Sequence, residues 1–190
     1  MRIITSSLES LDDTAWEKLT KRCVEILQNN GKIFASGLGK NAPICEKFVG
    51  TLNSFGIDAR FLHSNAAAHG DLGMVNKNDL VIILSKSGNT AESVDLAKYL
   101  INRGTEIWLV TFNKESKLTR LVKNQILLHL EHEGDQWNVS PNNSTMVNLV
   151  LLQGLAIELS KRLGIKLGDF QINHPGGGIG EILENYKECI

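Results

Sequence analysis

The sequence predicts an α/β protein: a three-layer α/β/α sandwich around a doubly wound, mainly five-stranded parallel sheet. Three observations carry this expectation. Short apolar strand candidates alternate with helical patterns along most of the chain. The central candidate, Leu80 to Leu84, is an unbroken Leu-Val-Ile-Ile-Leu run, as a strand requires when helices cover both faces of its sheet. Turns rich in glycine or hydroxyls follow strands directly, and repeated βα units of this length call for right-handed crossovers between parallel strands.

Taken in order, the elements begin with a helix over Asp13 to Gln28, where Trp16, Leu19, Cys23 and Ile26 recur at spacings of 3, 4 and 3. That seam suits either a partner chain or its own domain. Thr14 and Glu17 are spaced as a capping box at its start. Gly31 ends the helix, and residues 32–36 read as the first strand, which runs into the turn Gly37-Leu38-Gly39. A second helix follows with Ile44, Phe48, Leu52 and Phe55 on one face. Further strands are expected near 59–62, 80–84, 106–111 and 125–130, and helices near 90–102 and 116–123. The stretch 145–163 is apolar on nearly every side, from Met146 to Leu159, so it is either central or buried in an oligomer interface. With no internal repeat, low-complexity tract or linker, the 190 residues read as one domain, a helical segment over 1–30 and a core over 31–183.

Composition excludes several function classes. Twenty Lys and Arg against 21 Asp and Glu leave a net charge of −1, so no chain-wide field draws nucleic acid or an anionic membrane. The longest pure apolar run, Leu80 to Leu84, is far too short to span a bilayer. The first residues lack the apolar stretch and small-residue cleavage site of a secretory signal. Cys23, Cys45 and Cys189 are odd in number and contain no CxxC pair, which disfavours a disulfide framework or structural zinc. The cytoplasm is the expected compartment, with Cys45 a small core residue.

Ligands of open parallel sheets bind beyond the carboxyl ends of the strands, so the segments after strands carry the chemistry. In Gly37-Leu38-Gly39-Lys40-Asn41-Ala42-Pro43, glycines let an anion approach backbone N–H groups at a helix N-terminus. A dinucleotide fold would need an acid at the end of the second strand, where Leu62-His63 stand instead. A P-loop fails because position 34 is Phe and Asn41 follows Lys40. The glycines alone would make only a tight turn; Lys40 beside them favours an anion. Ser85-Lys86-Ser87-Gly88-Asn89-Thr90-Ala91-Glu92 places three hydroxyls at a helix start, a nest for a phosphate monoester, the bland alternative being that Thr90 is a plain N-cap. Glu92 lies within reach of the same pocket, though an acid in a first turn also simply complements the helix dipole. His174-Pro175-Gly176-Gly177-Gly178-Ile179-Gly180 reads as an irregular loop that another group approaches closely. His63, His69 and Asp71 follow the second strand, and His129, Glu131 and Glu133 share a face if the last strand persists that far. Neither cluster has a recognised metal-ligand spacing.

The stretches GLGK (37–40), AAHGDLGMV (67–75), SKSGNTAE (85–92), SPNNST (140–145) and HPGGGIG (174–180), in this order, resemble the sugar isomerase (SIS) domain family. Within it, they are most similar to the arabinose-5-phosphate isomerases. The resemblance implies a flavodoxin-like topology and interconversion of D-ribulose 5-phosphate and D-arabinose 5-phosphate, supplying the lipopolysaccharide sugar Kdo. It also implies a homotetramer whose sites draw residues from neighbouring subunits. The family's catalytic lysine falls on Lys40, its two carboxylates on Glu92 and Glu133, and its C-terminal histidine on His174. Substrate-binding positions fall on Gly39, His69, Ser85, Ser87, Asn89 and Thr90. No cofactor is implied as a requirement; an inhibitory divalent metal is implied at His63. Departures from the family pattern are Asn41, Ala42 and Pro43 in the first loop, Lys86 and Asn89 in the second, and Asn142-Asn143. The chain also stops near residue 190, where many members continue into paired CBS domains, so a SIS-only form is expected.

These residues suit proton transfer between C1 and C2 through an enediolate: Glu92 or Glu133 as base, His174 for ring opening or the oxygen-bound proton, Lys40 beside the developing oxyanion. A non-catalytic sugar-phosphate sensor is the rival reading. It would keep Ser85, Ser87 and Thr90 without needing Lys40, the glutamates and His174. An isomerase for another sugar phosphate is a second rival, and an NAD-binding role a distant third.

Overall fold

The computed structural model describes residues 1–187, so Cys189 lies outside the described residues. It contains strands β1 (Ile33–Gly37), β2 (Ala59–Phe61), β3 (Leu80–Leu84), β4 (Glu106–Thr111) and β5 (Asn124–Leu127), all paired in parallel in the order β2-β1-β3-β4-β5. The helices are α1 (Arg2–Glu9), α2 (Asp13–Gln28), α3 (Asn41–Ser54), α4 (Ser64–Ala68), α5 (Ala91–Arg103), α6 (Lys117–Leu121), α7 (Asn143–Arg162), α8 (Leu167–Ile172) and α9 (Gly177–Lys187). The expected α/β/α sandwich is present.

Strand β3 shows why. Its alternate residues serve two separate cores: Leu80, Ile82 and Leu84 pack with α2, α3 and α7, while Val81 and Ile83 pack with α4, α5 and α6. Both faces are therefore dry, and an unbroken apolar run is the sequence consequence. The α2 seam belongs to its own domain, with Leu19, Cys23 and Ile26 buried and Trp16 packed against the same core. Cys45 is fully buried there too, and burial pushes its thiol pKa up. Helix α7 divides its apolar residues between two faces. Val147, Leu151, Leu152, Leu155, Ala156 and Leu159 are buried, whereas Met146, Val150 and Ile157 remain exposed. None of the described helices is long and apolar enough to cross a membrane.

Three expectations need correction. Helix α2 starts on Asp12, whose Oδ1 accepts from Thr14 N at 2.8 Å and Ala15 N at 3.2 Å, so an acid directly before the helix takes the capping role expected of Thr14 and Glu17. Strand β5 ends at Leu127, and Glu131 is exposed while Glu133 is buried, so His129, Glu131 and Glu133 share no strand face. The glycines at 177–180 form the first turn of α9 and not an irregular loop. The apolar spacing of Ile179, Ile182 and Leu183 continues past them, and Leu183 is buried, which outweighs the low helix propensity of glycine.

Leu155→Ala, at a fully buried position of α7, should lower unfolding free energy by about 2–5 kcal/mol. Urea denaturation measures this, and a loss under about 1 kcal/mol would mean α7 does not fill the core as described.

Candidate active site

Neighbouring strands β1 and β3 send their connections in opposite directions, β1 through α3 to β2 and β3 through α5 to β4. Right-handed crossovers then place α3 and α5 on opposite faces of the sheet, and a crevice opens between the carboxyl ends of β1 and β3. The loops at 38–40 and 85–90 border that crevice.

The first loop is shaped by a close approach. A Cβ on Gly37 would meet Asn41 Cβ at 2.8 Å, so only glycine lets β1 turn directly into α3. Gly39 and Lys40 are exposed, and Lys40 is the N-cap residue of α3 with no side-chain cap bond. Asn41 Oδ1 accepts from Asn148 Nδ2 at 3.0 Å, which ties the start of α3 to α7.

In the second loop, Ser85 is buried, and its Oγ accepts from Gly88 N at 3.2 Å. Gly88 has φ +63°, and a Cβ there would lie 2.1 Å from Ser116 Oγ, so the turn has both the backbone shape and the space of glycine alone. Ser87 and Asn89 are exposed. Ser87 Oγ accepts from Asn89 N at 3.2 Å. The Asn89 side chain is occupied within the loop, accepting from Lys117 N at 2.9 Å and donating to Ser87 O at 3.1 Å. Thr90 is the N-cap residue of α5, yet its hydroxyl makes no cap bond, so the plain capping role is not taken up. Glu92 is exposed in the first turn of α5.

Glu133 is placed differently. Its side chain has 0% exposure, and Lys86 Nζ lies 2.5 Å from its Oε1. Ser144 Oγ donates to Oε1 at 2.7 Å, while Asn142 N and Ser144 N donate to Oε2 at 3.0 and 2.9 Å. Burial pushes its carboxyl pKa up, but Lys86 and the Ser144 and Asn142 donors outweigh that and hold it below the usual carboxylate value.

His63 and His69 flank α4 at the same edge, where Ser64 Oγ lies 3.2 Å from Ser36 Oγ of β1. His63 Nδ1 accepts from Asn65 N at 3.3 Å, so one ring nitrogen is engaged by the start of α4. Among the described residues no three His, Cys, Asp or Glu converge as metal ligands. Within one chain these residues therefore do not fit a divalent metal.

His174 stands apart. Its ring stacks on Phe170 at 4.0 Å between centroids, and Phe170 packs on Phe55 at the far end of α3. Asn173 Nδ2 donates to Ser54 O at 3.2 Å at that same end. Lys40 begins the helix and His174 lies against its end, so the 14-residue α3 separates them by about 20 Å. A groove of about 670 Å³ beside Phe55, Gly56 and Asn173 opens at this opposite edge of the sheet, remote from the crevice. The Nδ1 of His174 lies 2.8 Å from Phe170 O, a carbonyl to which it can only donate, so Nε2 is the nitrogen left for another group.

The SIS domain family matches residues 26–159, most of the chain. The chain belongs to the SIS domain family. Among its relatives, arabinose 5-phosphate isomerase KdsD of Pseudomonas aeruginosa is 35% identical over 177 residues, 93% of this chain and 54% of that protein. The KdsD of Escherichia coli K12 is 33% identical over 176 residues, again 93% and 54%. The chain thus spans about half the length of the curated relatives it matches. The solved structure of c3406 from E. coli CFT073, in complex with arabinose 5-phosphate, superposes with a TM-score of 0.80 at 31% identity, covering 92% of this chain and 93% of that one.

Within this SIS domain the departures from the family pattern have structural partners. Asn41 bonds Asn148, Lys86 pairs with Glu133, and the main-chain N–H of Asn142 reaches the same carboxylate. Spacing alone does not reveal these pairs, because each joins segments more than 40 residues apart or crosses a loop whose path is set by tertiary contacts.

The depressed Glu133 pKa has a pH signature. A carboxylate whose folded pKa lies below its ordinary 4.5 contributes stability above that value and loses it as pH falls through the folded pKa. Wild-type protein should lose more urea resistance between pH 7 and pH 3.5 than Glu133→Gln, and equal losses would contradict the assigned electrostatics.

Proposed function

We propose that the chain is an aldose–ketose isomerase that interconverts D-ribulose 5-phosphate and D-arabinose 5-phosphate through an enediolate. The observation that carries this reading is the topology that brings three chemistries to the carboxyl ends of the neighbouring strands β1 and β3. Lys40 ends the first loop, the 85–90 turn presents hydroxyl and N–H groups at the start of α5, and Glu92 sits in that helix's first turn. The similarity to proteins named arabinose 5-phosphate isomerase, and to a structure holding arabinose 5-phosphate, supports a pentose phosphate as the substrate.

In this mechanism the substrate phosphate binds at Ser85, Ser87, Thr90 and the α5 N-terminus, where N–H groups and the helix dipole favour an anion. Glu92 carries the proton between C1 and C2, and Lys40 stabilises negative charge on the enediolate oxygen. Gly39 lets the sugar approach the main chain, and His69 contributes from the end of α4. Asn89 acts by shaping the turn that its side chain braces. Proton transfer of this kind needs no redox cofactor. An inhibitory metal at His63 would need ligands from a second copy.

His174 enters from a neighbouring copy, where its Nε2 moves the oxygen-bound proton or opens the sugar ring. The separation of about 20 Å along α3 supports a shared site, and the exposed Met146, Val150 and Ile157 of α7 supply apolar surface for assembly. We assign a homotetramer in the cytoplasm, with its product directed to Kdo synthesis.

Incubation with D-ribulose 5-phosphate should yield D-arabinose 5-phosphate without added cofactor, in preference to hexose and heptose phosphates run in parallel. Binding without turnover across that panel would instead make the protein a sensor. Glu92→Gln should lower kcat by about 10²–10⁴-fold while the protein stays folded. Lys40→Ala and His174→Ala should each be inactive alone, yet randomly mixed subunits should recover about a quarter of wild-type activity. No recovery would place both residues in one chain's site.

A further inference from the structure

Two glutamates border the crevice, and their surroundings differ. Glu92 is exposed on the first turn of α5. Glu133 has 0% side-chain exposure, and both oxygens are engaged: Lys86 Nζ and Ser144 Oγ on one, the N–H groups of Asn142 and Ser144 on the other. A base must touch the carbon-bound proton that it removes. A carboxylate closed on every side by four donors has no oxygen with which to do so.

Lys86 is held as firmly at its main chain. Its carbonyl accepts from Thr111 Oγ1 at 3.1 Å and from Phe112 N at 3.3 Å, both at the carboxyl end of β4. The residue thus links three parts: the hydroxyl-lined turn in which it sits, the end of β4, and the N-terminus of α7 through Glu133. That last link is itself tight, because Asn142 is the N-cap residue of α7 and Ser144 lies in its first turn. Asn148, one turn further along α7, bonds Asn41 next to Lys40. Loops 38–40 and 85–90 are consequently fastened to successive turns of one helix.

We propose that Lys86 and Glu133 form a positioning pair, in which Glu133 is a fixed anion that holds the 85–90 turn and the start of α7 in register, leaving Glu92 as the carbon-acid base. The proposal rests on the isomerase reading of the crevice. It also gives Lys86 a role distinct from Lys40: its charge is neutralised by Glu133, so the substrate-facing cation is Lys40.

The test is steady-state kinetics on D-ribulose 5-phosphate, with urea unfolding of the same proteins, for wild type, Glu133→Gln, Lys86→Met, the double variant, Lys86→Arg and Glu92→Gln. Glu133→Gln and Lys86→Met should each lower kcat/KM by about 10–100-fold, the scale of misplacing reacting groups. The double variant should be within about threefold of the worse single one, because both changes break one interaction. Lys86→Arg, which retains a cation for the carboxylate, should restore most of the activity. Glu92→Gln should fall further, by loss of kcat. The proposal is overturned if Glu133→Gln is as inactive as Glu92→Gln while Lys86→Met is near wild type, since Glu133 would then act on the substrate itself. Strict additivity of the two single changes, in activity and in urea midpoint, overturns it as well. A wild-type protein inactive on every sugar phosphate removes the isomerase reading. The urea midpoints still decide the pair in that case: a double variant matching Glu133→Gln supports it, and additive losses refute it.

Discussion

The handedness of the two crossovers that leave β1 and β3 is the constraint on which the site depends. Because both are right-handed and run in opposite directions along the sheet, α3 and α5 must lie on opposite faces. Their N-termini then flank one crevice, and two partial positive charges meet without any cluster of basic side chains. For the sugar phosphate proposed as substrate, this reconciles a net charge of −1 with an anionic ligand. Attraction is supplied locally, by Lys40, hydroxyls and main-chain N–H groups, and decays within about a Debye length of the crevice.

The same edge contains an expensive group, the enclosed Glu133 carboxylate, and the shape of the 132–144 loop follows from it. An unpaired buried carboxylate would be strongly destabilising, so each of its oxygens needs donors. Lys86, Ser144 and the Asn142 and Ser144 N–H groups supply them, and the loop holds the Glu133 main chain as well: Asn138 Oδ1 accepts from Glu133 N at 2.7 Å, while Asn142 Nδ2 and Asn143 N each donate to Glu133 O at 3.1 Å. The Asn-rich sequence SPNNST is thus largely a cage for one acid. Glu133 in turn caps α7 from outside the helix, so the apolar core face of α7 and the polar loop are set by a single contact network.

What the sequence reveals and what it hides divide along a physical line. Elements whose period is local are legible, as in the dry run Leu80 to Leu84 and the α2 seam. So are the loops after β1 and β3, because glycine and hydroxyl content there answers to backbone shape. Lys86 is visible only as a departure from a pattern, since its partner lies 47 residues away and no spacing rule connects them. Glu133 reads as one member of an alternating row, but β5 releases the chain at Leu127 and the row dissolves. The glycines near 177 mislead in the opposite sense. Their freedom suggests irregularity, while Leu183 anchors them into a helix.

The position of His174 bears on why that glycine-rich helix start is there at all. Two of these glycines answer to the chain itself, since Gly177 has φ +71° and a Cβ on Gly180 would lie 3.1 Å from His174 O, whereas at Gly176 and Gly178 an added Cβ would meet nothing within 4 Å. Gly178, which lies in α9 with open space at its Cβ position, nevertheless carries a helix-propensity cost of roughly 1 kcal/mol. The His174 ring is already oriented by Phe170, which stacks on it and whose carbonyl faces its Nδ1. A histidine held in this way about 20 Å from its own crevice suits the neighbour-donated role proposed for it above. In the shared site proposed above, α3 by its length keeps each chain's histidine away from its own crevice.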